Sequence, residues 1–398
     1  MPFDATLTFA YKAADHVPMA ARILIITAAF GEGHNSAARN MALALQELGA
    51  EAKVADPCML GAPVSTKYIC MGYRLITTYA PRLWYRVYLR TDGVDFTRQR
   101  FPLMRKPERK LGELLDTFQP DAVVCTYPLY PYFLQRLLEG KAKRPLIVTV
   151  VTDSIEINAA WLKAPTDAWL VTDPLTADAM VRAGLPAEKV VDTGFPVNPC
   201  FSRLDPVAAD APVDPFRVLF FATPNLPQLR RISRAVLEAS PDTKLTLVLG
   251  KNLRLLYRIS REISREFPGR VKIIGWTRRV PQLLNRHHLV IGKAGGATVH
   301  EAIAARCPML VHHLVPGQEE GNLRLLEKIG GGMLAASSEA IRAAIADLLA
   351  DGAARWRSMK RKLEGHGRNA GAISAANYVL ERIEARKDSK QEDAGLKT

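Results

Sequence analysis

Cysteine is scarce in this chain of 398 residues and never paired. Cys58, Cys70, Cys125, Cys200 and Cys307 are scattered, odd in number and without CxxC spacing. That argues against a disulfide framework or a zinc site and fits a reducing cytoplasm. Long apolar runs are missing as well. No stretch approaches the roughly 20 apolar residues of a membrane-spanning helix, so any membrane contact is expected to be peripheral. The first twenty residues, with Asp4, Lys12, Asp15 and His16, lack a continuous apolar h-region, and no signal peptide is expected. No GxxxxGKS/T occurs, which disfavours a P-loop enzyme. Gly31-Glu32-Gly33 is followed by Ser36 where the dinucleotide fingerprint needs glycine, which disfavours a nucleotide-dependent oxidoreductase. The histidines, including His287-His288 and His312-His313, lack metal-ligand helical spacing, and no metal is expected. Acid is in short supply: 40 Asp and Glu face 54 Lys and Arg, a formal net charge of +14. The partner is therefore anionic, whether nucleic acid, acidic lipid or a phosphorylated substrate.

What is present is a soluble, globular composition with 48% hydrophobic residues, long enough for two ordinary cores. Ile23-Leu24-Ile25-Ile26 reads as a buried strand, Gly31-Glu32-Gly33-His34 as a loop, and Asn35 to Leu48 as a helix. Ala52 to Ala55, Ala122 to Cys125, Leu146 to Val151, Ala168 to Thr172 and Val190-Val191 continue the strands. A second series runs through Val218 to Phe221, Leu245 to Leu249, Val271 to Ile274, Leu289 to Ile291 and Met309 to Val311, with helical sequence between most of them. The alternation predicts doubly wound parallel sheets with ligands outside the carboxyl ends of the strands. The expected division is an acceptor-binding domain over 20–198, a proline-rich linker over 199–215, a nucleotide-sugar domain over 216–385 and a disordered tail over 386–398.

The densest chemistry lies in Lys293-Ala294-Gly295-Gly296-Ala297-Thr298-Val299-His300-Glu301, followed by Pro316-Gly317-Gln318-Glu319 and Asn322. A strand, two glycines and a helix opening aim unpaired N–H groups and a positive helix end at one point, where an anion sits. Glu301, about one turn in, suits sugar hydroxyls, and Gln318, Glu319 and Asn322 add a polar fork. Together they suggest a nucleotide-sugar pocket.

Taken in order, Phe30-Gly31-Glu32-Gly33-His34, Gln119-Pro120-Asp121, Val151-Thr152-Asp153 with Trp161, and Thr193-Gly194-Phe195-Pro196-Val197 form a pattern. It continues through Gly250-Lys251-Asn252, Gly275-Trp276, Lys293 to Glu301, and Pro316 to Asn322. This pattern resembles the GT-B glycosyltransferases of the MurG and monogalactosyldiacylglycerol synthase type (glycosyltransferase family 28), with bacterial diacylglycerol glucosyltransferases the nearest branch. The resemblance implies two Rossmann-like domains facing across a cleft. It implies His34 as the base that deprotonates the acceptor hydroxyl, a task suited to imidazole. It further implies Glu301 on the donor ribose, Gln318 and Glu319 on the donor sugar with Asn322 as their buttress, and backbone around Ile274-Gly275-Trp276 facing the uracil. Gly250, Asn252, Lys293, Gly295, Gly296 and Thr298 complete the donor set. Asp153 remains open between orienting His34, supporting the acceptor and simply capping. The expected substrates are UDP-hexose and diacylglycerol, with no cofactor and no nucleic acid.

Gly33 and the segment from Tyr68 to Lys110 make up the acceptor and membrane candidate. On a helical wheel Leu83, Trp84, Val87 and Tyr88 share one face and Arg82, Arg86 and Arg90 the other. Such a basic, aromatic helix suits the surface of an anionic lipid bilayer, and the enzyme is expected on the inner face of the cell membrane. One departure from the family stands out: Ala222-Thr223-Pro224-Asn225-Leu226-Pro227 has no glycine and two prolines where relatives carry a glycine-rich loop. Proline donates no N–H to a phosphate. Two other readings stay open, transfer of N-acetylglucosamine to a polyprenyl-diphosphate lipid and a non-catalytic binding protein that keeps the fold.

Overall fold

A computed structural model of the chain describes residues 20–92, Val94, Phe96 and 102–395. The basic positions Arg98 and Arg100, and the segment read for a signal peptide up to residue 19, lie outside the described residues.

The first half begins with β1 (Arg22–Ile26), α1 (Glu32–Glu47) and β2 (Glu51–Ala55). Four helices follow: α2 (Pro57–Gly61), α3 (Pro63–Tyr79), α4 (Pro81–Asp92) and α5 (Arg105–Phe118). Then come β3 (Ala122–Cys125), α6 (Tyr130–Leu138), β4 (Leu146–Val150), α7 (Ala159–Leu162), β5 (Ala168–Val171), α8 (Pro174–Arg182) and β6 (Val190–Asp192). The strands form one parallel sheet in the order β2-β1-β3-β4-β5-β6. Strands β1, β3 and β4 are apolar apart from Arg22 at the start of β1 and Thr149, and buried almost throughout, because helices cover both faces.

The second half repeats the grammar with β7 (Phe216–Phe221), α9 (Leu226–Glu238), β8 (Thr243–Val248), α10 (Leu253–Glu266), β9 (Val271–Ile274), α11 (Val280–Leu284), β10 (Leu289–Lys293) and α12 (Gly296–Ala304). It ends with β11 (Met309–His313), α13 (Glu320–Lys328), β12 (Gly332–Leu334), α14 (Ser338–His366) and α15 (Gly371–Gly395). Non-helical backbone at Ala350–Ala353 breaks α14 into two pieces. The second sheet is parallel in the order β12-β11-β10-β7-β8-β9. Strand order reverses between β1 and β3 in one sheet and between β7 and β10 in the other. The crevice beside such a reversal is where doubly wound folds bind ligands.

The second unit opens with β7 at Phe216, after the expected linker, but its far end differs from the expected one. Helix α15 leaves the second domain and returns to the first: Ala372, Ala375, Ala376, Val379 and Ile383 are buried with Ile23, Ile25, Val124 and Val148. Residues 371–385 therefore belong with the first core, and the segment from 386, expected to be disordered, continues this helix to Gly395. The proline-rich stretch 199–215 is packed rather than loose. Phe201 is buried with Val299 and Ala302, and Val207 and Val213 lie against the second core. Ala37, Phe195 and Val197 of the first domain join that same inter-domain cluster. No described helix is long and apolar enough to cross a membrane.

Candidate active site

Two helix openings meet in the cleft. Gly31 caps α1 and Gly295 caps α12, and neither end has a side-chain cap hydrogen bond. A Cβ placed on Gly33 would lie 4.0 Å from the Ala297 backbone nitrogen, and one on Gly296 would lie 2.6 Å from the Thr152 carbonyl oxygen. Any side chain at Gly296 would thus collide with the opposite domain. The two uncapped N-termini point free N–H groups and two positive dipole ends into one inter-domain space, a strong setting for a diphosphate.

His34 sits in the first turn of α1 and is buried. Its ring meets Tyr127 edge-on at 5.2 Å and lies 6.0 Å from Trp161. Its Nδ1 is 3.0 Å from the Thr152 hydroxyl. Burial pushes its pKa down to about 4, partly opposed by the Thr126 backbone. The ring is therefore neutral at ordinary pH, the form of imidazole that can take up a proton.

Asp153 does not bond to His34. Its Oδ2 accepts from Trp161 Nε1 at 2.8 Å, and burial raises its pKa to about 6. The group that orients His34 is Thr152, one residue earlier in the same loop. Asp153 instead fixes the indole that forms part of the wall around the imidazole.

On the donor side Glu301 is half-buried in α12, and desolvation lifts its pKa to about 7, with Arg39 pulling the other way. Lys293 Nζ donates to Glu319 Oε1 at 2.7 Å, and Glu319 Oε2 accepts from the Val315 N–H at 2.9 Å. Glu319, expected to read sugar hydroxyls, thus has both oxygens engaged and braces Lys293 beside Gly295. Gln318 faces the first domain, where its Oε1 accepts from the Tyr73 hydroxyl at 2.8 Å. Asn322 buttresses a different element from the expected pair: its Nδ2 donates to the Ala294 carbonyl at 3.0 Å, pinning the double-glycine loop. The Thr298 methyl packs toward Gly292.

At the far wall Gly250 takes a positive φ of 56°, and Asn252 N–H donates to Leu249 O. Gly275 lies close against Leu253, while Trp276 is 58% exposed and stacks under Arg278. Trp276 is no core residue. The proline-bearing loop closes on itself, with Asn225 capping α9 by accepting from the Gln228 N–H at 3.0 Å.

The acceptor helices differ from the wheel. Trp84 and Tyr88 are half-buried: Trp84 meets Tyr73 edge-on at 4.9 Å, and Tyr88 lies beside Gly317 of the second domain. Leu83, Tyr85, Val87 and Leu89 of α4 are exposed together with Arg82, Arg86 and Arg90. On α3, Tyr68 is 64% exposed and belongs to a stripe with Val64, Met71 and Leu75. The opposite face of α3 carries Thr66, Cys70, Tyr73 and Thr77 inward.

Residues 34–197 match the profile of the monogalactosyldiacylglycerol (MGDG) synthase family. A processive diacylglycerol beta-glucosyltransferase of Bacillus subtilis is 26% identical over 379 residues, covering 90% of this chain and 95% of its own. One of the same description from Staphylococcus carnosus is 26% identical, with 83% and 85% covered. Among solved structures, a putative UDP-N-acetylglucosamine 2-epimerase from Listeria monocytogenes superposes with a TM-score of 0.57 at 15% identity, covering 93% of this chain and 97% of its own. The glycosyltransferase of kitacinnamycin gives 0.56 at 16%, covering 92% and 100%. These last two likenesses are of fold.

Proposed function

We propose that this chain, a GT-B hexosyltransferase of the monogalactosyldiacylglycerol synthase type, moves a hexose from a UDP-sugar to the free hydroxyl of diacylglycerol. The observation that carries the reading is the meeting of the two uncapped helix N-termini, with His34 in the first turn of the first and Glu301 in the second. In the reaction His34 takes the proton of the acceptor hydroxyl as its oxygen attacks the anomeric carbon. The bond from that carbon to the diphosphate breaks, and UDP leaves with the electron pair. The N–H groups of α1 and α12, with Lys293 beside them, stabilise the charge that gathers on the leaving diphosphate. Holding donor and acceptor in one cleft removes much of the entropic barrier. The names of the relatives make UDP-glucose the first donor to try.

The exposed stripe of α3 and the cationic α4 support a peripheral seat on an anionic membrane surface, from which the lipid acceptor is drawn. The test is incubation of the purified chain with labelled UDP-glucose or UDP-galactose and dioleoylglycerol, with the lipids resolved by chromatography. A labelled glycosyl-diacylglycerol is the expected product; its absence with both donors would remove the proposal.

A further inference from the structure

We propose that Tyr73 is a positioning residue of the donor-sugar site, holding the Gln318 amide so that its nitrogen faces the hexose. The inference deepens the hexosyl-transfer reading and rests on it for the identity of the ligand.

Gln318 sits in the turn that runs from Val315 to Glu319. The turn is shaped from within: the Glu319 carboxylate accepts the Val315 N–H, and the Gln318 and Glu319 N–H groups return to the Val315 carbonyl. With Glu319 also holding Lys293, the Gln318 side chain is the polar group of this turn not used by the second domain itself. Its carbonyl oxygen is taken across the cleft by Tyr73, 245 residues away in sequence. With Oε1 held by Tyr73, the planar amide turns its two Nε2 hydrogens away from that bond, and no hydrogen bond from them to a described protein group is present. They are the natural readers of a sugar hydroxyl.

The rest of the contact explains why Tyr73 is rigid enough for this. Its ring meets Trp84 edge-on, the packing that aromatic pairs favour. Tyr85 and Tyr88 lie against Gly317, whose φ of 79° suits glycine and where a Cβ would come within 2.9 Å of both rings. Burial, aided by Glu319 and Asp153, pushes the phenol of Tyr73 well above its ordinary pKa, so it stays a neutral donor. Helix α3 thereby shows exposed apolar residues outward and holds the sugar reader inward.

Calorimetry of the full chain with UDP and with UDP-glucose tests this directly, because Gln318 acts on the hexose alone. In the wild type the attached glucose is expected to add affinity beyond UDP. Tyr73→Phe deletes one oxygen and keeps the ring against Trp84. It should lower that added affinity about five- to tenfold while leaving UDP affinity unchanged, in line with the loss of a hydrogen bond. KM for UDP-glucose should rise by the same factor with kcat within twofold, and the preference between glucose and galactose should narrow. Gln318→Ala should remove the increment, and the double variant should be no worse than Gln318→Ala. A merely structural tyrosine would weaken UDP and UDP-glucose alike. Wild-type affinity and preference in Tyr73→Phe, or full additivity in the double variant, would overturn the proposal. So would a wild-type chain that gains nothing from the hexose. If Tyr73→Phe behaves as expected but no glycosyl-diacylglycerol forms, the acceptor assignment fails and the role of Tyr73 stands.

Discussion

Buried His34 and half-buried Glu301 are expected to set the pH behaviour of this site. His34 is held in an apolar pocket that lowers its pKa to about 4. A base is lost when it is protonated, so the rate at saturating donor is expected to hold from neutral pH downward until it falls through about pH 4. Asp153, whose pKa is about 6, would place that limb two units higher if it were the titrating group. A pH–rate profile of Asp153→Asn separates them, since asparagine keeps an acceptor for Trp161; the acid limb should stay near 4. His34→Ala should cost about 10²–10⁴ in kcat while UDP-glucose affinity stays unchanged. Glu301 behaves oppositely in its effect on binding. With its pKa raised to about 7, it is largely protonated below that pH, and only the carboxylate accepts from two ribose hydroxyls at once. UDP affinity should therefore rise as pH climbs through 7, and rise less in Glu301→Gln. The titration of UDP itself is common to both proteins and cancels. The positions of His34 and Glu301 beside the inter-domain cleft were legible because each stands near the start of a glycine-opened helix. The contacts of Thr152 and Tyr73 were not, since their partners lie 118 and 245 residues away; Thr152 stood in the motif only as the neighbour of Asp153.

At the scale of elements, the helix pair α3 and α4 carries two faces with different chemistry. Sequence alone showed that Tyr68 to Lys110 was basic and aromatic, but a single-helix wheel grouped Trp84 and Tyr88 with Leu83 and Val87, which the structure leaves exposed. The wheel knows nothing of α3 or the second domain, against which these two residues pack. Val64, Tyr68, Met71 and Leu75 form the stripe that does face solvent, at helical spacing of four, three and four. Apolar side chains this exposed contribute little to the fold, so charging them should leave Tm nearly unchanged. The double variant Met71→Asp with Leu75→Asp is expected to bind anionic vesicles at least tenfold more weakly in a flotation assay. Activity on a short-chain, water-dispersed diacylglycerol should persist, because the inner face with Tyr73 is untouched. Equal flotation of variant and wild type would remove the stripe from the membrane contact. By the same logic the Arg82, Arg86 and Arg90 side chains are expected to make vesicle binding salt-dependent, at about 1 kcal/mol each near the surface.

The whole molecule is held in one piece by a chain that crosses between its domains twice. The alternation of strands and helices made both sheets readable, because a buried parallel strand must be apolar along its length. The return of α15 was not readable, since its apolar positions fit a helix on either domain and only the crossing itself decides. That crossing is tight. At Gly371 a Cβ would sit 2.0 Å from the Phe195 carbonyl oxygen, a backbone atom that cannot step aside. Three residues earlier Arg368 grips Asp192 with two hydrogen bonds, of 3.1 and 2.6 Å. Gly371→Ala must therefore push α15 away from the first domain or move the segment Gly194–Phe195 that enters the inter-domain cluster. Either movement uncovers apolar surface under Ala375, Ala376 and Val379, so Tm is expected to fall by several degrees and solubility with it. Gly365→Ala, in α14 with nothing near its Cβ position, is the control and should be neutral or stabilising by up to ~1 kcal/mol. If both variants melt alike, the returning helix is not what joins the two halves, and the inter-domain cluster around Val299 and Phe201 must hold them unaided.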